Sequence, residues 1–88
     1  MQLPEILDLK AAGPLRVALL EARGASVEID ASQVQRLGGL CLQVLLSAAA
    51  TWSTDGRNLK ISAASEAFAE GARRMGAQAL APELIIQE

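Results

Sequence analysis

The sequence predicts an α/β protein: a small mixed, mostly parallel sheet of about four strands packed with three to four helices. Three observations predict it. Short alternating runs, "MQLPEILDL", "SVEID" and "NLKIS", are spaced through the chain, and alternation at period two marks a half-buried strand. Apolar residues at helical spacing lie between these runs, and strands that alternate with helices pair in parallel through crossovers. The length, 88 residues, suits one domain spanning 1–88 and not two.

The first run contains Pro4. A proline cannot donate to a ladder, so an edge strand or two short strand pieces are expected there. In "DLKAAGPLRVALLEARG", Leu15, Ala18, Leu19 and Ala22 share one helical face, with Arg16, Glu21 and Arg23 off it. Pro14 fits if this helix begins near Ala11, because the first turn has no donors to lose. Gly24 is the expected stop. "SVEID", Ser26–Asp30, reads as a strand with Val27 and Ile29 inward, and "ASQVQRLGG" as a connecting loop.

From Leu37 to Thr54 the chain carries no charge. Cys41, Leu45, Ala48 and Trp52 recur at helical spacing, and Leu42, Leu46 and Ala49 widen that stripe. Gln43, Ser47, Thr51 and Thr54 take the opposite side. The run approaches the roughly 20 residues of a membrane span, yet its polar groups align on one face. An amphipathic helix with a neutral wet face is therefore expected, and the phase of Trp52 places it with the core. Asp55-Gly56 signals a turn. Asn58–Ser62 is a strand with Leu59 and Ile61 inward. Ser65 caps a third helix with Phe68, Ala72 and Met75 on its buried edge, ended by Gly76. In the tail, Ala77–Leu80 suits a further helical turn, Pro82 stops it, and Leu84–Ile86 suits a last short strand.

Composition narrows the function. With 51% hydrophobic and 20% charged residues the chain is ordinary for a compact soluble protein. Trp52 and Phe68 are the only aromatics, so the core must come from Leu, Ala, Val and Ile. A net charge of -2 and scattered cations exclude the basic field of a nucleic-acid binder and disfavour an anionic membrane surface. There is no histidine and one cysteine, Cys41. A disulfide, the common zinc sites and the Ser-His-Asp or Cys-His constellations are all out of reach. Cys41 reads as a small buried hydrophobe. No glycine-rich phosphate cradle is present. Asp8, Glu21, Asp55, Glu66 and Glu70 read as caps or solvated helix faces. The expectation is a binding protein without catalysis, metal or cofactor. No secretory signal opens the chain, so a cytoplasmic setting is expected.

Three stretches carry a resemblance. "LDLKAAGPL" leads into the first helix, "VEIDASQVQRLGGLCLQVLL" is a strand ending in Asp followed by a loop and a helix start, and "WSTDGRNLKISAASEAF" is a turn, a strand and a Ser-capped helix. In this order and spacing they resemble the STAS family, the sulphate-transporter and anti-sigma-factor-antagonist domain, over nearly the whole chain. The family pattern has Asp, Ser or Thr, any residue, Gly and Leu at the helix start. Gly38 falls at the Asp position, Gly39 at the Ser/Thr position, Cys41 at the Gly and Leu42 at the Leu. In phosphorylation-switched members that Ser or Thr accepts phosphate from a partner kinase. Gly39 has no hydroxyl, so no such modification is expected there. The resemblance implies a regulatory role in bacterial signal transduction and transcription control, or beside chemotaxis components, through an anti-sigma factor or histidine-kinase-like partner. Two further roles that it allows are a cytosolic accessory contacting the ATPase subunit of a phospholipid-trafficking ABC transporter, and a nucleotide-binding domain.

The residues themselves point to a contact surface. Exposed helix faces usually carry Lys and Glu; Gln43, Ser47 and Thr51 offer hydrogen bonds without the desolvation cost of a charge, and the centres of interfaces are depleted in charge. Gly38 and Gly39 let another backbone or an anion approach the unsatisfied N–H groups of the helix start. The expected partner surface is Gln35, Arg36, Leu37, Gly38, Gly39 and Leu40 with Gln43, Ser47 and Thr51. A homodimer mate is the other occupant that this face allows.

Overall fold

The computed structural model describes residues 1–76 and the backbone of Ile85–Ile86. The element order is β1 (Ile6–Leu7), α1 (Leu9–Ala22), β2 (Val27–Ala31), β3 (Arg36–Leu37), α2 (Gly39–Thr54), β4 (Leu59–Ala64), α3 (Glu66–Arg74) and β5 (Ile85–Ile86). This is the expected α/β class. The expectations for Ala77–Leu80, Pro82 and Leu84 lie outside the described residues.

All pairings among the described residues are parallel. β2 pairs with β4 and β4 with β5, while β1 pairs with β3. A bridge between Gln2 and Asp30 ties the chain start to β2; Leu3 N–H donates to Asp30 at 2.9 Å and Asp30 N–H to Met1 at 2.7 Å. Pro4 thus separates two short strand pieces, as its missing donor requires. β2 and β4 lose register between Ile29 and Asp30, where Asp30 faces Ala63. The Ser62 hydroxyl donates to the Ile29 carbonyl at 3.3 Å across this irregularity, which has the one-extra-residue form of a bulge.

The core is aliphatic apart from Phe68 and Trp52. Phe68, Leu7, Ile29, Leu45, Ile61, Val34 and Cys41 are its most completely enclosed side chains. Leu15 and Leu19 from α1 and Cys41, Leu45, Ala48 and Trp52 from α2 join them as the helical spacing predicts. Positive φ at Gly24 and Gly56 marks the ends of α1 and α2. The Ser65 hydroxyl caps α3 by accepting from Phe68 N–H.

Two expectations need correction. α1 begins at Leu9, not near Ala11, because the Asp8 carboxylate accepts from the N–H groups of Lys10 and Ala11 and caps the helix earlier. Pro14 therefore sits inside α1 rather than in its first turn. Pro14 and Lys10, the residue whose carbonyl loses its helical donor, are both exposed. "ASQVQRLGG" is not wholly loop. Glu5 accepts from the N–H groups of both Gln35 and Arg36, and Arg36–Leu37 forms β3 beside β1.

Candidate functional site

The chain places α1 and α2 side by side, running the same way. At their starts, Gly38 N–H donates to the Leu7 carbonyl at 2.8 Å and the Cys41 thiol lies 3.3 Å from the Asp8 carbonyl. At their ends, Arg23 makes two contacts to Asp55, Nε to Oδ2 at 2.9 Å and Nη2 to Oδ1 at 3.1 Å. The Trp52 indole donates to the Ala25 carbonyl at 2.8 Å. β1 and β3, which feed the two helices, are parallel neighbours, so both helices are launched from one edge in one direction.

Between them runs a groove of about 370 Å³. Arg16, Leu20 and Arg23 form its α1 wall at spacings of four and three. Leu40, Gln43, Ser47 and Thr51 form its α2 wall at spacings of three, four and four. Leu19, Val44, Ala48 and Trp52 lie beneath. Those intervals are the rhythm of one helical face, so each wall is a straight ridge. Gln43 and Ser47 are exposed and Thr51 half-buried.

The remaining residues of the expected surface lie elsewhere. Gln35 is exposed, and its amide donates to Glu5 at 3.3 Å. Arg36 is exposed at the β3 edge. Leu37 is half-buried against Gly71 of α3. Gly38 is the N-cap residue of α2, which has no side-chain cap. Gly39 is exposed, with the Met75 sulfur the nearest group to any added Cβ. The expected surface thus runs from the β3 edge to the start of α2 and continues there into the groove wall Leu40, Gln43, Ser47 and Thr51. The α1 wall was not read from the sequence. Its signal was there, since Leu20 is an apolar residue outside the core stripe of α1, and it is exposed.

Electrostatically the groove is simple. Among the described residues, Arg16 and Arg23 are its only charged lining groups. The hydrogen bond from Arg23 holds the Asp55 carboxyl below its ordinary range, and the same bond raises Arg23. Burial pushes the Cys41 thiol up, and Asp8 adds to the effect, which disfavours the reactive thiolate. Of the other acids singled out in the sequence, Asp8 caps α1 and Glu70 pairs with Arg74 one turn on. Among the described residues no group of three His, Cys, Asp or Glu side chains is placed to hold a metal ion. No described helix is long and apolar enough to cross a membrane.

A family model described as "Mlab, STAS domain" matches residues 1–85. The chain belongs to the STAS domain family. No curated protein and no solved structure gives a significant match. STAS domains are generally binding modules without enzymatic activity, linked to anti-sigma antagonism, signalling and transport. In this STAS domain the start of α2 carries Gly38 and Gly39, and the charge-free wall of α2 continues from it for three turns.

Proposed function

We propose that this chain is a non-enzymatic regulatory module that works by docking a protein partner on α2. The partner would be an anti-sigma factor or a kinase-like ATPase domain of the histidine-kinase type, in bacterial signal transduction within the cytoplasm. The observation that carries this reading is the exposed, charge-free wall Leu40, Gln43 and Ser47, with half-buried Thr51, beside an open groove. A face of this composition loses little by desolvation when covered. Family membership supports the binding role. Gly39 removes the hydroxyl at the phosphoacceptor-equivalent position, so this surface would hold one charge state.

The test is co-purification from native cells with wild type and a Gln43→Lys, Ser47→Glu double variant. Both positions are exposed, so the variant should keep the wild-type melting temperature. Loss of a wild-type partner supports the reading. Equal recovery by both baits removes α2 as the docking site.

A second reading is an accessory subunit that contacts the ATPase of a phospholipid-trafficking ABC transporter. The matched family model is described as "Mlab, STAS domain" and not as an anti-sigma antagonist, which keeps this reading beside the first. Genes for a permease and an ATPase next to this one would favour it. Sigma-factor or chemotaxis genes would favour the first.

A further inference from the structure

The α1 side of the groove makes a more specific statement about the partner, resting on the docking reading above. Leu20 and Leu40 stand 55% and 46% exposed on opposite walls. Each is a large apolar side chain at the lip of a trough floored by buried Leu19, Ala48 and Trp52. Two parallel helical ridges with such a floor match the edge of a third helix, which presents one apolar side chain per turn.

Charge selects the occupant further. Among the described residues the charged groups lining the groove are both arginines, and Arg23 is already engaged by Asp55. Arg16 pairs with no carboxylate among the described residues. A second copy meeting this one groove to groove would bring the lining arginines together, and the nearest acid, Asp55 at the groove end, is already held by Arg23, so the arrangement is repulsive. We propose that the groove receives an amphipathic α-helix of a partner protein, its apolar edge seated between Leu20 and Leu40 and a carboxylate on that helix paired with Arg16.

The test titrates the full ¹⁵N-labelled chain with three designed helical peptides. One carries a leucine edge flanked by glutamates. The second replaces those glutamates by lysines. The third scrambles the first, so that the leucines no longer share a face. The glutamate peptide should shift the amide signals of Leu20, Gln43 and Ser47, and should bind about tenfold more tightly than the lysine peptide, the size of one charge-assisted contact. An Arg16→Glu variant, altered at an exposed site, should reverse that order, and the scrambled peptide should be inert.

Equal binding of the two charge forms, binding elsewhere, or no binding overturns the proposal. So does a concentration-dependent dimer that Leu20→Lys abolishes, which assigns the groove to a second copy. Phosphatidylglycerol vesicles that produce the same shifts while the peptides do nothing would assign it to lipid and overturn the proposal as well. If any of these results appears while the Gln43→Lys, Ser47→Glu variant still loses its native partner, docking on α2 stands and only the helical occupant falls.

Discussion

The N–H of Gly38 donates to the Leu7 carbonyl at 2.8 Å, and a Cβ added to Gly38 would stand 2.9 Å from that same oxygen. The start of α2 is thus pressed against the end of β1 at a distance that only a glycine allows. Its φ of -87° is ordinary for any residue, so the constraint is contact and not backbone strain. Gly38→Ala should therefore destabilise the fold by about 1–3 kcal/mol, the cost of overpacking a tight site, offset in part by the smaller entropy of the unfolded alanine chain. Denaturant unfolding measures it. A variant as stable as wild type would mean that β1 and α2 separate easily.

Gly39, one residue on, behaves oppositely. A Cβ there meets only the flexible Met75 sulfur, at 3.8 Å. α2 has neither a side-chain cap nor an acid in its first turn, so an aspartate at this position faces an uncompensated helix start. Gly39→Asp should raise stability by about 0.3–1 kcal/mol through the helix dipole, to which replacing a helical glycine adds a little. The same variant places a negative charge on the proposed partner surface and should weaken partner recovery. Unchanged recovery would take the start of α2 out of the docking surface while leaving the groove in it.

These two glycines show what could be read from the chain and what could not. The core stripe of α2, the Ser65 cap and the glycine stops at Gly24, Gly56 and Gly76 each depend on residues close in sequence, and each lies where the spacing puts it. β3 depends on Glu5 and Leu7, some thirty residues away. Two residues have no period to detect, so Arg36–Leu37 looked like loop. The start of α1 was missed because the Leu15–Ala22 face begins late and Pro14 drew the boundary forward, although Asp8 held the true cap. The α2 wall was legible because absence of charge is a property of composition. The α1 wall was not, because which helix lies beside which follows from strand order.

The Arg23–Asp55 pair closes the far end of the groove and should give the fold an acid-sensitive component. The Asp55 carboxyl is held below its ordinary range, chiefly by the Arg23 hydrogen bond. A carboxyl lowered in the folded state stabilises that state above its unfolded pKa of about 3.9. It loses the contribution as pH falls through the folded value. Arg23 stays protonated throughout and adds no pH dependence of its own. Asp55→Asn should therefore melt below wild type at pH 7, and the two should converge as pH drops under about 4. Melting curves from pH 7 to 2 check this. A gap that persists at the acid end would assign the effect of Asp55 to the α2 cap and not to the ion pair. The pair is exposed, so the difference should also shrink in high salt.

Ser65 does two jobs at once, and the two can be separated. Its hydroxyl accepts from Phe68 N–H at 3.1 Å to cap α3, and donates to the Val34 carbonyl at 2.6 Å. Val34 is almost completely buried, and Phe68 is one of the most enclosed side chains of the core. The hydroxyl therefore fastens the loop before β3 to the helix that packs against β3. Ser65→Ala removes both bonds and should cost about 1–2 kcal/mol as a lost cap, with a further penalty for the carbonyl left without its donor. Ser65→Asp keeps a good capping acceptor but has no proton to give, and turns a carboxylate toward the Val34 oxygen. If the cap alone mattered, Asp would restore nearly all of the stability. Because the donor role is equally part of the contact, Ser65→Asp should be no more stable than Ser65→Ala at pH 7, and Ser65→Thr, which keeps both functions, should fall between them and wild type. Chemical denaturation of the three variants decides it, and an aspartate variant close to wild type would show that Val34 does not need this donor.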